Sequence, residues 1–475
     1  MARIYPFRAL RYDTSRVRME DVVTQPYDKI SPEMQQRYYE ASPYNLIRVI
    51  LGKHEPGDTE PQEFLPSGER ASNVYTRAAD TLRRWRSEGV LAEEAEPALY
   101  GYSQTYTVPH SGTAGAPAEV RERRGFIALG HLYDYAEKVV HRHEQTFPKH
   151  KSDRMALFKA TRAYCEQIYM LYSDPAFTAE KLIFGVDAEG RDKNPADLAI
   201  TDEYGVVHRV WKLTDPHLIN LLVTAMRDKK LIIADGHHRY ETSVAYAQER
   251  SAQLKLPFGV SANPLGEDAR LVAGPLPAPP FPEAAMMMTF VNMDAPGITI
   301  LPTHRVVFGL EQFNTRDFLT QAEAFFDVTP QLSSEHDAEP NLEPLTAAPG
   351  TSFLVVTRDG TYLLTARPDA VRAALADLPP RQAQLDVVQL HTLLLDRILG
   401  LSQQRITELG NVKFIREAEE AVSLVRSGQA DLAFLIKPVT LDQLKEVSFS
   451  GDVMPQKSTD FYPKLLSGLA IYALD

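Results

Sequence analysis

Apolar positions recur with two different periods along this chain, and the switches between them mark its elements. Val74, Ala78, Leu82 and Trp85 are spaced by four, four and three residues, which places them on one stripe of a helix that Gly89 ends. Residues 98–108 and 124–133 read as strands, and the polar stretch between them suits a hairpin loop. The β-branched run Leu46–Leu51 predicts another strand. Met155–Leu171 has a helical pattern, as does Leu218–Met226, which leads into the short, wholly apolar strand Leu231–Ala234. Asp235-Gly236-His237-His238-Arg239 follows directly, and Tyr240–Glu249 is helical again.

Punctuation by proline divides the rest. Pro6, Pro26, Pro32 and Pro43 break the first fifty residues into loops with brief strands. Residues 53–68 form a polar loop, and the proline-rich stretch 257–283 reads as an exposed one. Met286–Val291 and Ile298–Leu301 look like buried strands joined by a turn at Asp294-Ala295-Pro296-Gly297, with the methionine run in the core. A new unit is expected near residue 310. It has a helix at 315–326, a hairpin over Phe353–Thr365 turning at Asp359-Gly360, and helices near 369–376 and 384–399. A helix near 415–427 precedes the strand Leu432–Ile436. The expected fold class is α+β, with domains at 1–309 and 310–475, the second smaller.

Composition narrows the function. Of 475 residues, 51 are Lys or Arg and 63 are Asp or Glu, a formal net charge of −12. A duplex-coating protein normally carries a basic footprint, so no nucleic-acid partner is expected. The single cysteine, Cys165, excludes an intrachain disulfide framework and a multi-cysteine metal site. No run of about 18 apolar residues exists, and the charged start MARIYPFRALRYD lacks the apolar core of a secretory signal. A cytoplasmic protein without a membrane span is the expectation.

The segment Leu231–Tyr246 carries the strongest chemistry. A buried strand runs into Asp235-Gly236 and a helix begins within two or three residues. Gly236 lets the backbone turn sharply and approach a ligand. The helix N-terminus offers unpaired N–H groups and partial positive charge, which suit a phosphate. His237, His238 and Arg239 add donors around the same anion, and Asp235 is the natural carboxylate for Mg²⁺ beside it. The plainer alternative is that Asp235 caps the helix while a histidine packs in the core.

Resemblance to known families enters at this turn. The segment ADGHHR resembles the phosphate-binding turn of the ParB/sulfiredoxin superfamily, which includes free serine kinases. The wider chain is similar to the DUF1015 family through Gln25-Pro26-Tyr27-Asp28, Pro43-Tyr44-Asn45-Leu46-Ile47-Arg48, His143-Glu144-Gln145-Thr146 and ADGHHRYET. Further matches are Leu301-Pro302-Thr303-His304-Arg305, Pro455-Gln456-Lys457-Ser458-Thr459 and Phe461-Tyr462-Pro463-Lys464. The resemblance implies a ParB/sulfiredoxin-like mixed N-terminal domain that handles nucleotides. The chain departs from the ParB partition proteins in lacking their Gly-Glu-Arg-Arg box. It departs from sulfiredoxin in placing His237, not cysteine, after Gly236.

A second constellation lies at 141–151. His141 and His143 would share one face of a strand. Glu144 is a candidate general base and a second metal ligand beside Asp235, and Lys149 can neutralise developing charge. His304 and Arg305 follow a buried strand and can close over phosphate. Lys457 and Lys464 can reach an anion from the C-terminal domain. Asp28 either caps a turn or orients substrate.

Together with the kinase-containing superfamily that the turn resembles, these residues imply a phosphotransferase that uses Mg²⁺ with ATP or ADP. The resemblance implies as acceptor a small hydroxylated metabolite such as a free hydroxy amino acid. Glu144, Asp235, His237 and His238 form the catalytic set. Gly236, Arg239, His143, Lys149, His304, Arg305 and Lys457 bind the nucleotide. Two alternatives stay open, a non-catalytic nucleotide-binding regulatory module and a metal-dependent hydrolase built on the histidines. A homodimer is compatible with either.

Overall fold

The computed structural model describes residues 2–59, 61, 68–109, 117–144, 146, 148–185, 195–261, 275–331, 340–402, 404–406 and 410–475; of residues 148–150 and 261 it describes the main chain alone. Chain contacts divide the protein into two units. The first takes residues 1–142, 146–299 and 463–475, and the second takes 143–145 and 300–462. The chain therefore leaves the first unit, builds the second, and returns.

A mixed nine-stranded sheet carries the first unit. Its strands are β1 (Ile4–Tyr5), β2 (Leu99–Thr107), β3 (Val120–His131), β4 (Val140–His141), β5 (Ile168–Tyr172), β6 (Leu198–Thr201), β7 (Val207–Leu213), β8 (Leu231–Asp235) and β9 (Ala285–Asn292). They lie in the order β4-β8-β5-β9-β3-β2-β7-β6, with β1 beside β3. β8 is parallel to β4, β9 is parallel to β5, and the other pairs are antiparallel. Central β9 is buried at every position, so its sequence is largely apolar, with the three methionines in the core and only Thr289 and Asn292 polar.

Helices of this unit follow the expected periodicity. In α1 (Val74–Ser87) the stripe Val74, Ala78, Leu82 and Trp85 is buried, and Asn73 and Thr76 form a capping box at its start. Burying each large apolar side chain there stabilises the unit by about 1.5–3 kcal/mol. α2 (Pro148–Thr161), α3 (Pro216–Met226) and α4 (His237–Leu254) complete the set used here. Both α3 and β8 match expectation, while α4 begins at His237, earlier than the pattern from Tyr240 indicates.

Three expectations are corrected. Leu46–Leu51 is not a strand, because Ile47–Ile50 forms one helical turn. Buried Asn45 decides this. Its Oδ1 accepts the Ile47 N–H at 2.9 Å, and its Nδ2 donates to Asp21 O at 2.8 Å, which outweighs the local β propensity. The helix from Met155 stops at Thr161, and Ile168–Leu171 belongs to β5. Arg162 breaks it, with φ +51° and a guanidinium held by Tyr246 Oη at 2.7 Å and Leu474 O at 2.6 Å. Strand β4 ends at His141, so His143 is not its neighbour on one strand face. Of the loops expected at 53–68, between 108 and 124, and at 257–283, residues 60, 62–67, 110–116 and 262–274 lie outside the described residues.

The second unit is built on a six-stranded sheet of β10 (His304–Val307), β11 (Phe326–Gln331), β12 (Ser352–Thr357), β13 (Gly360–Ala366), β14 (Val412–Ile415) and β15 (Leu432–Ile436). The order is β11-β13-β12-β15-β10-β14, and every pair is antiparallel. β12 and β13 make the expected hairpin, with Thr357 opposite Gly360. Helix α5 (Ala418–Arg426) buries Ala418, Ala421, Val422 and Val425 against Val306, Leu354 and Ala433. No described helix is long and apolar enough to cross a membrane.

Candidate functional site

The turn between β8 and α4 is shaped by Gly236. Its φ of +96° is one that side chains rarely adopt, and a Cβ there would lie 3.0 Å from Ile168 Cδ1 and 3.1 Å from Arg239 Nη2. No side chain caps α4, and its first turn carries no acidic residue. The N–H groups of that turn carry the partial positive charge of a helix N-terminus. His237 is buried at the helix start and His238 is half-buried.

Asp235 sits immediately before this turn, with a side chain 19% exposed, and is fully engaged. Its Oδ1 accepts from Lys464 Nζ at 2.9 Å and its Oδ2 from Arg239 Nη2 at 3.1 Å. Burial pushes its carboxyl group up in pKa, but Lys464, Arg239 and Lys29 outweigh burial and hold it well below the usual carboxylate range. Arg239 is buried and turned inward. Its Nη1 donates to Gln167 O at 2.7 Å and lies 3.7 Å from Glu166 Oε1. The guanidinium expected at an anion is thus committed to Asp235, Gln167 and Glu166.

Buried Glu166 ties this cluster to the N-terminal motif. Its Oε1 accepts the Tyr27 N–H at 3.0 Å, and its Oε2 lies 3.5 Å from Arg154 Nη1. Arg154 in turn covers the Tyr27 ring at 4.0 Å and donates to Ile50 O at 2.8 Å. Burial disfavours the Arg239 charge, and Glu166, Asp235 and Asp28 more than offset that cost. Sequence reasoning assigned no role to Glu166 or Arg154, because the helix read over 155–171 placed Glu166 in its middle. Lys464 carried a signal as a lysine able to reach an anion and as the last residue of the Phe461–Lys464 run, but not as a partner of Asp235.

His143, Glu144, His304, Arg305 and Lys457 belong to the second unit, whereas Asp28, His141 and Lys149 belong to the first. Glu144 Oε1 accepts the Lys457 N–H at 2.7 Å, and Arg305 Nη2 donates to Lys457 O at 3.3 Å. These two clamp the Lys457 main chain at φ +57° while its side chain stays exposed. Arg305 is wholly buried, donates to Thr303 O, and lies 3.4 Å from His391 Nε2. Burial pulls its pKa down to about 9, against an opposing pull from Glu144. His143 Nε2 pairs with Thr459 Oγ1 at 2.8 Å, and buried His304 accepts the Ile436 N–H through Nδ1 at 3.2 Å. The side chain of Lys149 lies outside the described residues.

Asp235, Gly236, His237, His238 and Arg239 thus come together in the first unit, and His143, Glu144, Arg305 and Lys457 in the second. Among the described residues, no group of three or more His, Cys, Asp and Glu is placed to hold a metal ion. Asp235 does not fit direct magnesium ligation in this arrangement, since each of its oxygens already faces a cation.

A family model described as "Protein of unknown function (DUF1015)" matches residues 4–388. No curated protein matches the chain. Solved structures similar to it include SbnI with C-terminal truncation from Staphylococcus aureus, at 11% identity and TM-score 0.34, covering 72% of this chain and 85% of that one. A free serine kinase in complex with AMP is 11% identical with TM-score 0.31, covering 70% and 89%. A conserved hypothetical protein from Pyrococcus furiosus is 11% identical with TM-score 0.30, covering 68% and 87%. At such TM-scores these likenesses decide nothing about this chain.

Proposed function

The chain belongs to the DUF1015 family, and from that premise we propose that it binds ATP or ADP and phosphorylates a small hydroxylated metabolite, such as a free hydroxy amino acid. The observation that carries this reading is the uncapped start of α4, entered through Gly236 at φ +96° and flanked by buried cations. Main-chain N–H groups of the first turn cradle the polyphosphate, and His237 and His238 supply side-chain donors. Asp235 and Arg239 hold the turn in shape from behind. The same proposal carries the ParB/sulfiredoxin assignment to the first unit, which includes residues 463–475, so the expected 310–475 domain does not hold that segment.

A second reading is a nucleotide-binding module without chemistry. It is favoured by the state of Asp235, whose charge is already neutralised from both sides.

One experiment addresses both. The protein is heated with and without ATP or ADP, then incubated with nucleotide and a pool of hydroxy amino acids while phosphate transfer is followed by mass spectrometry. A ligand at a hundredfold its Kd stabilises a fold by about 2.7 kcal/mol, enough for a clear rise in melting temperature. Transfer supports the kinase. A thermal shift with unchanged ligands supports the module and removes the kinase, and neither effect removes both.

A further inference from the structure

Lys464 reaches the Asp235 turn from the far end of the sequence. It is the second residue of the segment 463–475, which rejoins the first unit after the whole second unit has been built. Its main chain is fixed independently of its ammonium group. Lys464 O accepts from Gln104 Nε2 at 2.8 Å, and Gln104 Oε1 is held by Arg123 Nε at 3.1 Å. Three residues on, Ser467 N–H donates to Thr24 O at 2.9 Å and Thr24 N–H returns the bond at 3.1 Å. The side chain can therefore exchange partners about its aliphatic stem while its backbone stays put.

From this geometry we infer that Lys464 is a phosphate-binding residue of the site, and that the Asp235 carboxylate occupies it as an internal stand-in for the ligand. The inference rests on the polyphosphate reading of the turn and names a binding residue and a competitor within it. A carboxylate oxygen 2.9 Å from the ammonium has the geometry a phosphate oxygen would take. Arg239 cannot serve in this way, since Asp235, Gln167 and Glu166 already claim it. Releasing Lys464 does not strand a bare buried carboxylate, because Asp235 keeps Arg239 at 3.1 Å and the field of Lys29. A phosphate arriving beside Gly236 thus gains a preplaced cation in exchange for the Lys464–Asp235 ion pair.

The test uses the full-length chain and inorganic pyrophosphate, titrated calorimetrically, with melting curves for each variant. Asp235→Asn removes the competitor and is expected to tighten binding by about tenfold, the value of one charge-assisted hydrogen bond. Lys464→Met is expected to weaken binding by about tenfold or more, and Lys464→Arg to retain most of it. The double variant Asp235→Asn with Lys464→Met is expected to bind as weakly as Lys464→Met alone. If Lys464 only neutralises Asp235, the double variant binds like the unaltered protein and Asp235→Asn gains nothing, which overturns the inference. Should Asp235→Asn fail to fold, equal binding by Lys464→Met and Lys464→Arg overturns it instead. An unaltered protein that binds no pyrophosphate defeats the polyphosphate reading itself, and this inference with it.

Discussion

Replacing Gly236 by alanine separates two costs that the turn imposes. The first is conformational, since an L-residue in the left-handed region costs about 1–2 kcal/mol. The second is steric and electrostatic. The new Cβ would lie 3.1 Å from Arg239 Nη2 and 3.3 Å from its Cζ, so the guanidinium must move. It cannot move without lengthening its 3.1 Å bond to Asp235 or its 2.7 Å bond to Gln167 O. Weakening one charged hydrogen bond costs about 1.5–3 kcal/mol, which brings the total to about 2.5–5 kcal/mol. Gly205 provides the control. Its φ is +75°, but nothing lies within 4 Å of a Cβ built there, so alanine at 205 meets only the conformational cost. Urea unfolding of both variants, read as midpoint and slope, measures the difference directly. Gly236→Ala should cost about 2 kcal/mol more than Gly205→Ala. Equal costs would show that Arg239 yields freely, and the account of an interlocked turn would fall.

Three further outcomes are expected. Glu166→Gln leaves Arg239 and Arg154 without their shared buried carboxylate and should destabilise the protein by about 3–5 kcal/mol; a urea midpoint within error of the parent would refute that role. Asn45→Ala removes the bonds that define the Ile47–Ile50 turn and should cost about 2 kcal/mol in the same assay, whereas a neutral result would return the turn to its apolar residues alone. His131 is buried between Tyr5 Oη and Gly259 O, and burial lowers its pKa to about 4. The unfolded chain therefore binds a proton that the folded one refuses between pH 6.5 and 4, so stability rises with pH there and is complete above 6.5. Acidification from pH 7 to 5 should cost about 2 kcal/mol through this residue. The slope should shrink in His131→Asn, and an unchanged slope would move the effect to another group.

How much of this was legible in the sequence depends on how far apart the deciding partners lie. α1 and the β12–β13 hairpin could be read because their signals are local: a period of apolar residues with a cap at Asn73, and an Asp-Gly turn between two strands. The Leu46–Leu51 run was misread because its conformation is set by Asn45 bonding to Asp21 and Val23, more than twenty residues earlier. The stretch 155–171 was misread because a helix and a strand of similar hydrophobicity meet there, and the break is a left-handed Arg162 held by Glu283 and Leu474.

The candidate site divides in the same way. Strand, glycine and helix start are contiguous, so the turn itself could be read. Whether Asp235 faces a metal or an ammonium depends on Lys464, which is 229 residues away and arrives only when the chain returns to its first unit. Glu166 and Tyr27 are likewise joined across 139 residues, by a bond from the Tyr27 main-chain N–H to the Glu166 carboxylate that no periodicity encodes. A motif thus identifies which groups are present at a turn, while the charge state in which they act is decided by long-range partners. For Asp235 that distinction has a measurable sign. A metal ligand replaced by asparagine should weaken anion binding, and a carboxylate that competes for Lys464 should strengthen it when removed.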